Sequence, residues 1–388
     1  MSDQGSKQSH HHPDELRTIE EHLQTEHKLE VVRRYFGAWA GIIANTSRRT
    51  FSNRDMYIVD THAGAGLHAS DKHPDGWVYG TPLIACEVAR TVQRQHPGAH
   101  VHVRAIDVDP RWVLRLRNRV DAFTRTTHTD DRVDVDVIED DFANQVRPIL
   151  TEADKARALS LWFIDPYGVK EIPFDALRPL NDLAYGPEVI INLDLGGIWR
   201  IKSANEVPDL YDWKQHDPDR QTTLTALYGD RTTWERALVP GQPYHRQLES
   251  LARAYAELFS SFKLRNFYPL RASNSQFRFL IHLTHADLGA RRFKEAYETS
   301  WNVGLFAGRA LDQPTRAHAA QTYWAVYRGR ETSLSQLYEE HLRTFNKPAL
   351  ASICRAAEQG GFGHFDEGSE VMDWADEREN PQTTMLLE

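Results

Sequence analysis

Four aspartates, Asp60, Asp107, Asp141 and Asp165, stand at or just beyond the ends of short β-forming runs, and a glycine-punctuated turn follows the first, in YIVDTHAGAG from Tyr57 to Gly66. Acids in such places accept hydrogen bonds from hydroxyls and amines. One at the end of the second strand of a dinucleotide-type fold takes the ribose hydroxyls. Gly64 and Gly66 let the backbone turn sharply and approach a ligand without a Cβ in the way. Asp60, His62, Gly64 and Gly66 would then wall one side of a cofactor site, Asp107 would hold its ribose, and Asp141 would receive an adenine amino group with Phe142 beside the ring. A lone aspartate after a strand is more often a helix N-cap, but four in register with one sheet outweigh that alternative.

The fourth acid opens Asp165-Pro166-Tyr167-Gly168. A carboxylate on a stiff turn can accept the hydrogens of an amine and leave its lone pair free, while an aromatic ring beside it stacks on a flat base. The plainer alternative is a tight turn after a buried strand. Beyond the next apolar run, Trp199 and Arg200 pair a ring with a guanidinium, a combination suited to a phosphate or a base.

These residues need a sheet to hold them. Tyr57 to Val59, Val101 to Asp107, Val133 to Ile138, Leu159 to Asp165 and Glu188 to Leu193 read as five strands, the fourth and fifth almost wholly apolar. Helical patterns separate them, including one opened by Thr81-Pro82 and one by Pro110. Apolar strands alternating with helices predict a parallel sheet covered on both faces. A helix beginning near Leu16 precedes the first strand, with Val32, Tyr35, Phe36, Trp39 and Ile43 on its buried face. Leu67 to Gly80 reads as a polar loop long enough to be a lid. Residues 199–243 read as a polar insertion over the strand ends, followed by an amphipathic helix from Tyr244 to Phe262. Phe267 to Arg271 and Phe277 to Leu283 then form an antiparallel hairpin.

Beyond about Leu311, two short helices and a wing near Phe362 to Phe365 suggest a winged-helix-like module, or equally a helical cap. The expected division is a disordered tail over 1–14, the main domain over 15–310, the small module over 311–365 and an acidic tail over 366–388.

The chain has 388 residues and a net charge of −9. From Asp366 onward eight acids stand against Arg378, so the remainder is close to neutral and local basic surface is compatible with a nucleic acid. Two cysteines, Cys86 and Cys354, exclude a disulfide framework and a Cys-rich zinc or iron–sulfur site. His10 to His12 read as part of a disordered tail rather than a metal site. No run suits a membrane span and the polar start has no signal-peptide core, so a cytoplasmic protein is expected.

Asp165-Pro166-Tyr167-Gly168 resembles the (Asp/Asn/Ser)-Pro-Pro-aromatic motif of methyltransferases acting on exocyclic amino groups, although here the tyrosine comes third. A parallel sheet closed by an antiparallel sixth and seventh strand is likewise the pattern of class I methyltransferases, a Rossmann-like α/β fold. As a set, EHKLEVVRRYFGAW, YIVDTHAGAG, YGTPLIA, LWFIDPYG, EVIINLDLGGIWR and LYGDRTTW resemble the three-Cys-motif partner proteins (TcmP), over about Glu26 to Trp301. Members usually carry serine where Thr81 stands. DTHAGAG followed by Gly-Thr-Pro-Leu-Ile-Ala also resembles the large-subunit ribosomal RNA adenine-N6 methyltransferases.

The resemblance implies a methyltransferase-like fold and a partner with three cysteines, similar to radical-SAM proteins, and supplies no substrate. Asp60 and the glycine turn would surround the methionine part of S-adenosylmethionine, with Asp165, Pro166 and Tyr167 as the catalytic set and no metal. The leading expectation is a methyltransferase modifying an amino group of an adenine-like base. A cofactor-binding partner subunit without catalysis is the alternative, and a nuclease using the four aspartates with a divalent ion ranks third.

Overall fold

A computed structural model describes residues 23–50, 55–69, 77–125, 133–181, 186–195, 218–242, 244–271, 277–303, 327, 329–334, 337, 347–366 and 368–375. The expected disordered tail, with His10 to His12, lies outside them, as do Trp199 and Arg200. The chain divides into two units, residues 1–292 and 293–388.

In the first unit, α1 (Leu23–Thr50) leads into β1 (Asp55–Asp60), a short hairpin of β2 (Leu67–Ala69) and β3 (Trp77–Tyr79), and α2 (Thr81–Gln95). Then come β4 (His100–Asp107), α3 (Pro110–Arg125), β5 (Asp134–Glu139), α4 (Phe142–Lys155), β6 (Leu159–Ile164), α5 (Phe174–Leu177) and β7 (Glu188–Asp194). Next are α6 (Pro218–Tyr228), α7 (Arg231–Ala237), α8 (Tyr244–Glu257), β8 (Leu264–Arg271), β9 (Phe277–Thr284) and α9 (Asp287–Val303), which runs across the division. Seven strands form one sheet in the order β5-β4-β1-β6-β7-β9-β8. β5, β4, β1, β6 and β7 are mutually parallel, whereas β9 runs antiparallel to both β7 and β8. Pro269 is tolerated inside β8 because β8 is the edge strand, where a missing N–H breaks no ladder on the open side.

The sheet's alternation sorts its residues between two faces. Val59, Trp162, Ile164, Val189, Ile191 and Leu193 join one core with helices α4 to α8. Leu224, Leu227, Tyr228 and Trp234 are buried in that same core, so the part of 199–243 that is described, residues 218–242, is a packed layer rather than an insertion laid over the strand ends. Its buried residues are few but large, with the Trp234 indole and Tyr228 phenol rings joined by Leu224 and Leu227.

The opposite face carries α1. Tyr35 donates to Glu188, and His282 Nε2 lies 2.8 Å from the same carboxylate oxygen, a buried polar rung joining α1, β7 and β9. Two turns earlier on α1, Lys28 forms a second rung described below.

Two expectations need correction. Leu67 to Gly80 is not one long loop: β2 and β3 pair, and Gly80 N–H donates to the Gly66 carbonyl at 2.8 Å, tying both ends to the glycine turn. Leu67 and the Trp77–Tyr79 run supply the β-forming residues, and the two rings pack 5.1 Å apart. The stretch expected as an acidic tail begins as structure, since β11 (Gly363–Asp366) and β12 (Val371–Trp374) pair with β10 (Glu331–Ser333) in a three-stranded antiparallel sheet. Met372 is fully buried there, with Ile353, Cys354 and Ala357 of α10 (Lys347–Gln359), and this anchors a strand rich in acids. Of the two short helices expected beyond about Leu311, the second is α10, and most of the chain before it, residues 338–346, lies outside the described residues.

Candidate cofactor and acceptor site

β1 is flanked by β4 and β6, so the chain crosses to opposite sides of β1 and leaves a crevice at the carboxyl ends of these strands. Gly64 and Gly66 there have φ of +56° and +77°, the region glycine enters without strain. A Cβ on Gly66 would stand 2.6 Å from Leu116 Cδ1. The turn is anchored at several points. Ala63 N–H donates to the Ile106 carbonyl at 2.9 Å, Gly64 N–H to Asp107 Oδ2 at 2.8 Å and Arg119 to the Ala65 carbonyl at 2.6 Å.

Asp107 also accepts from Asp109 N–H, through Oδ1 at 2.9 Å, so each of its oxygens fixes a loop and retains one lone pair for a ligand. Asp141 caps α4 by accepting from Ala143 N–H at 2.9 Å. Phe142 is buried in the core, with one side against the His62 ring at 5.0 Å between centroids. His62 Nδ1 lies 2.8 Å from Thr61 Oγ1, and its Nε2 is 3.8 Å from Glu171.

Asp165 follows the end of β6 and is the hub of a buried polar cluster. Lys28 of α1 donates to Oδ2 and Asn192 of β7 donates to Oδ1, the latter at 2.6 Å. Tyr167 is half exposed. Its hydroxyl lies 3.6 Å from where a Gly64 Cβ would be, so the Asp165–Gly168 turn reaches the glycine turn. Glu171 accepts from Tyr167 N–H at 2.9 Å and holds that turn closed. Beside it, Asp194 at the end of β7 pairs with Arg278 of β9 at 3.1 Å.

The two buried carboxylates are driven apart electrostatically. Burial raises Asp60 well above the ordinary carboxylate range and Asp165 raises it further, the His62 amide and Lys28 offsetting only part. Burial opposes ionisation of Asp165 as well, but there Lys28 and Asn192 prevail and the group is lowered. Asp165 is thus the anion and Asp60 is held toward its neutral form, the usual sign of two groups with different tasks. Burial brings the His62 imidazole down to about 4 against the pull of Asp165 and Asp141, which makes it neutral. Glu171 is raised, by burial first and then by Asp107 and Asp141.

This donor set fits S-adenosylmethionine. Acids converge around a turn with no Cβ at two positions, a setting that suits a ligand bearing a sulfonium and an ammonium. Asp60, His62, Gly64, Gly66, Asp107, Asp141 and Phe142 therefore come together at one end of the sheet, with Asp165, Pro166 and Tyr167 adjoining them. Lys28, Asn192 and Glu171 were not anticipated. Lys28 stands four residues before Val32 and seven before Tyr35, a cation on a buried helical face, and Asn192 is an amide inside the apolar run EVIINL. Each is a polar group at an otherwise apolar position, which marks it in the sequence without naming its partner. Among the described residues no group of three or more His, Cys, Asp or Glu is placed to hold a metal ion.

No protein-family model and no curated protein matches the chain. Among solved structures it is similar to a Legionella pneumophila protein of the DUF519 family, at 11% identity and a TM-score of 0.39, over 72% of this chain and 93% of that one. It is also similar to a Listeria monocytogenes protein provisionally described as a class I S-adenosylmethionine-dependent methyltransferase, at 8% identity and a TM-score of 0.28, over 65% of this chain and 60% of that one. A Klebsiella pneumoniae protein provisionally described as an O-methyltransferase shares 10% identity with a TM-score of 0.26, over 69% of this chain and 94% of that one. At these TM-scores, all below 0.5, the likenesses establish nothing about this chain. The strand order, with β9 reversed between β7 and β8, decides the architecture. The chain has a class I methyltransferase fold. Among its described residues no helix is long and apolar enough to cross a membrane.

Proposed function

We propose that the protein is an S-adenosylmethionine-dependent methyltransferase acting on an exocyclic amino group of an adenine-like nucleic acid base. The observation that carries this is the adjacency of Tyr167 to Gly64, because it gives a cofactor cradle and an amine-accepting turn a common wall. When bound, S-adenosylmethionine supplies an electrophilic methyl group. The chain's own part is to hold and orient. Asp107 and Asp141 offer acceptors to ribose and adenine, and the glycine turn lets backbone groups approach the amino-acid end. Asp165, kept ionised by Lys28, accepts an amine hydrogen so that the nitrogen lone pair stays available. The half-exposed Tyr167 ring offers the base a stacking surface.

A second reading is a cofactor-binding partner subunit for a radical-SAM-like protein with a three-cysteine motif, as the TcmP resemblance implies. It is favoured by the fact that both oxygens of Asp165 already have protein donors. The experiment is incubation of the purified chain with isotopically labelled S-adenosylmethionine and RNA or DNA from cells lacking the protein, followed by mass spectrometry of the nucleosides. A labelled N-methyl base that disappears with Asp165→Asn, while cofactor affinity stays near wild type, supports transfer. Cofactor binding without any labelled base supports the partner subunit.

A further inference from the structure

We propose that Asn192 is the second acceptor for the substrate's amino group, so that the site is built for a primary amine and stops after one methyl. The inference rests on the amine-transfer reading above. Asn192 lies on β7, two strand positions before Asp194, and is only 4% exposed. Its amide orientation is fixed by chemistry: an ionised carboxylate only accepts, so the group 2.6 Å from Asp165 Oδ1 is the Asn192 NH₂. The other end, Asn192 Oδ1, is buried and has no hydrogen-bond partner among the described residues. A buried carbonyl left unmade is costly in a folded core and calls for a ligand donor.

The neighbouring acceptor has capacity to spare. Asp165 offers about four lone-pair sites and spends one on Lys28 and one on Asn192. A primary amine presents two N–H groups, one for Asp165 and one for Asn192 Oδ1. With both held, the lone pair faces away from the two acceptors. In the transfer that lone pair forms the N–C bond as the donor's S–C bond breaks, the bonding electrons return to sulfur, and the nitrogen's surplus proton passes to the Asp165 carboxylate and on to water. The product has one N–H, so it leaves one acceptor unmade and is a poor substrate for a second round. A site built to hold a hydrogen-bond donor rejects an analogue lacking it far more strongly than an apolar pocket rejects a missing methylene.

The test compares wild type with Asn192→Leu, which keeps the branched shape and loses the acceptor, and with Asn192→Ser, which replaces the amide by a shorter hydroxyl. Probes are RNA transcribed with ATP or with N6-methyl-ATP, and DNA copied with dATP or its N6-methyl form. We expect wild type to prefer the unmethylated probe by about a hundredfold or more and to yield only monomethyl product. In the variants transfer to the unmethylated probe should fall by roughly ten- to a hundredfold with little change on the methylated one, so that the preference collapses. Fluorescence anisotropy without the methyl donor should show the same loss of preference in binding, and calorimetry should find cofactor affinity within about twofold of wild type. A preference unchanged in both variants, or cofactor affinity that falls in step with the rate, overturns the role of Asn192 and leaves amine transfer standing. No labelling of either nucleic acid by wild type overturns amine transfer, and this inference with it.

Discussion

Replacing Lys28 by methionine tests whether the cation before the first strand sets the charge of the acceptor site. The pair it forms with Asp165 has side chains only 10% and 20% exposed. Removing one member of a buried pair leaves the other desolvated, and here Asp60 adds a second carboxylate nearby. Loss of such a partner costs about 3–5 kcal/mol, and the residual exposure of Asp165 places Lys28→Met near the lower end, about 3 kcal/mol at neutral pH. At about 2–4 °C per kcal/mol for a unit of this size, the melting temperature should drop by roughly 6–12 °C.

The sign of the pH dependence separates this cause from lost packing. In wild type the folded Asp165 is lowered below its unfolded value, so its contribution is present above that value and vanishes as pH falls through the folded one. Without Lys28 burial dominates and the folded group is raised, so the penalty is full at neutrality and shrinks as the carboxyl takes up its proton. Calorimetric scans should therefore show a wide gap between variant and wild type at about pH 7.5 and a narrower one near pH 4.5. Adding Asp165→Asn to Lys28→Met should restore most of the lost stability at pH 7.5, because the unpaired charge is then gone. An equal gap at both pH values, or no rescue by the second substitution, would refute the electrostatic account.

Two further outcomes follow from the same site, and a third from the Trp199-Arg200 pair in the sequence. Asp107→Ala should weaken S-adenosylmethionine binding at least about tenfold by calorimetry, since charge-assisted bonds of roughly 1.5–3 kcal/mol are lost and the Gly64 and Asp109 amides lose their acceptor; unchanged binding would remove Asp107 from the cofactor set. The His62 imidazole is lowered from 6.5 to about 4, so the unfolded chain binds a proton in that interval that the folded chain does not, and stability should fall as pH drops across it. His62→Gln should flatten that part of the stability curve, and an unaltered slope would contradict the burial of a neutral ring. Arg200→Ala should weaken nucleic-acid affinity and reduce its logarithmic salt slope by about one, an effect absent if Arg200 only pairs with a neighbouring acid.

Much of the first unit is legible in the sequence because its strands are apolar and its turns carry glycine and proline. Burial on both faces leaves a parallel strand little choice of composition, and Leu159 to Ile164 shows it plainly. The glycine turn was legible for a different reason, since Gly64 and Gly66 occupy backbone conformations that other residues resist. Residues whose importance depends on a distant partner were not. Lys28 meets Asp165 across 137 positions and Asn192 meets it across 27, and no local pattern encodes either contact. The layer of α6 and α7 was missed because polar residues dominate its length, while its burial rests on a handful of large side chains such as Trp234. β12 reads as tail in the sequence because Glu370 and Asp373 stand close to Met372, whose fit into the small core is a tertiary fact.

The two polar rungs of α1 bear on how this protein is made. Tyr35 meets His282 across 247 residues of chain, so α1 waits for nearly the whole first unit before the last of its buried polar partners exists. At about 5–20 residues per second, that interval is roughly 12–50 s. Within it, Lys28 gains its counter-ion Asp165 after 137 residues and Tyr35 gains Glu188 after 153, so α1 is held by one complete rung well before His282 arrives. The Tyr35 rung therefore closes last, when β9 docks beside β7 and brings His282. A nascent chain stalled before Phe277 would carry the glycine turn, Asp107 and the Lys28–Asp165 pair, yet leave the Tyr35 rung without its histidine.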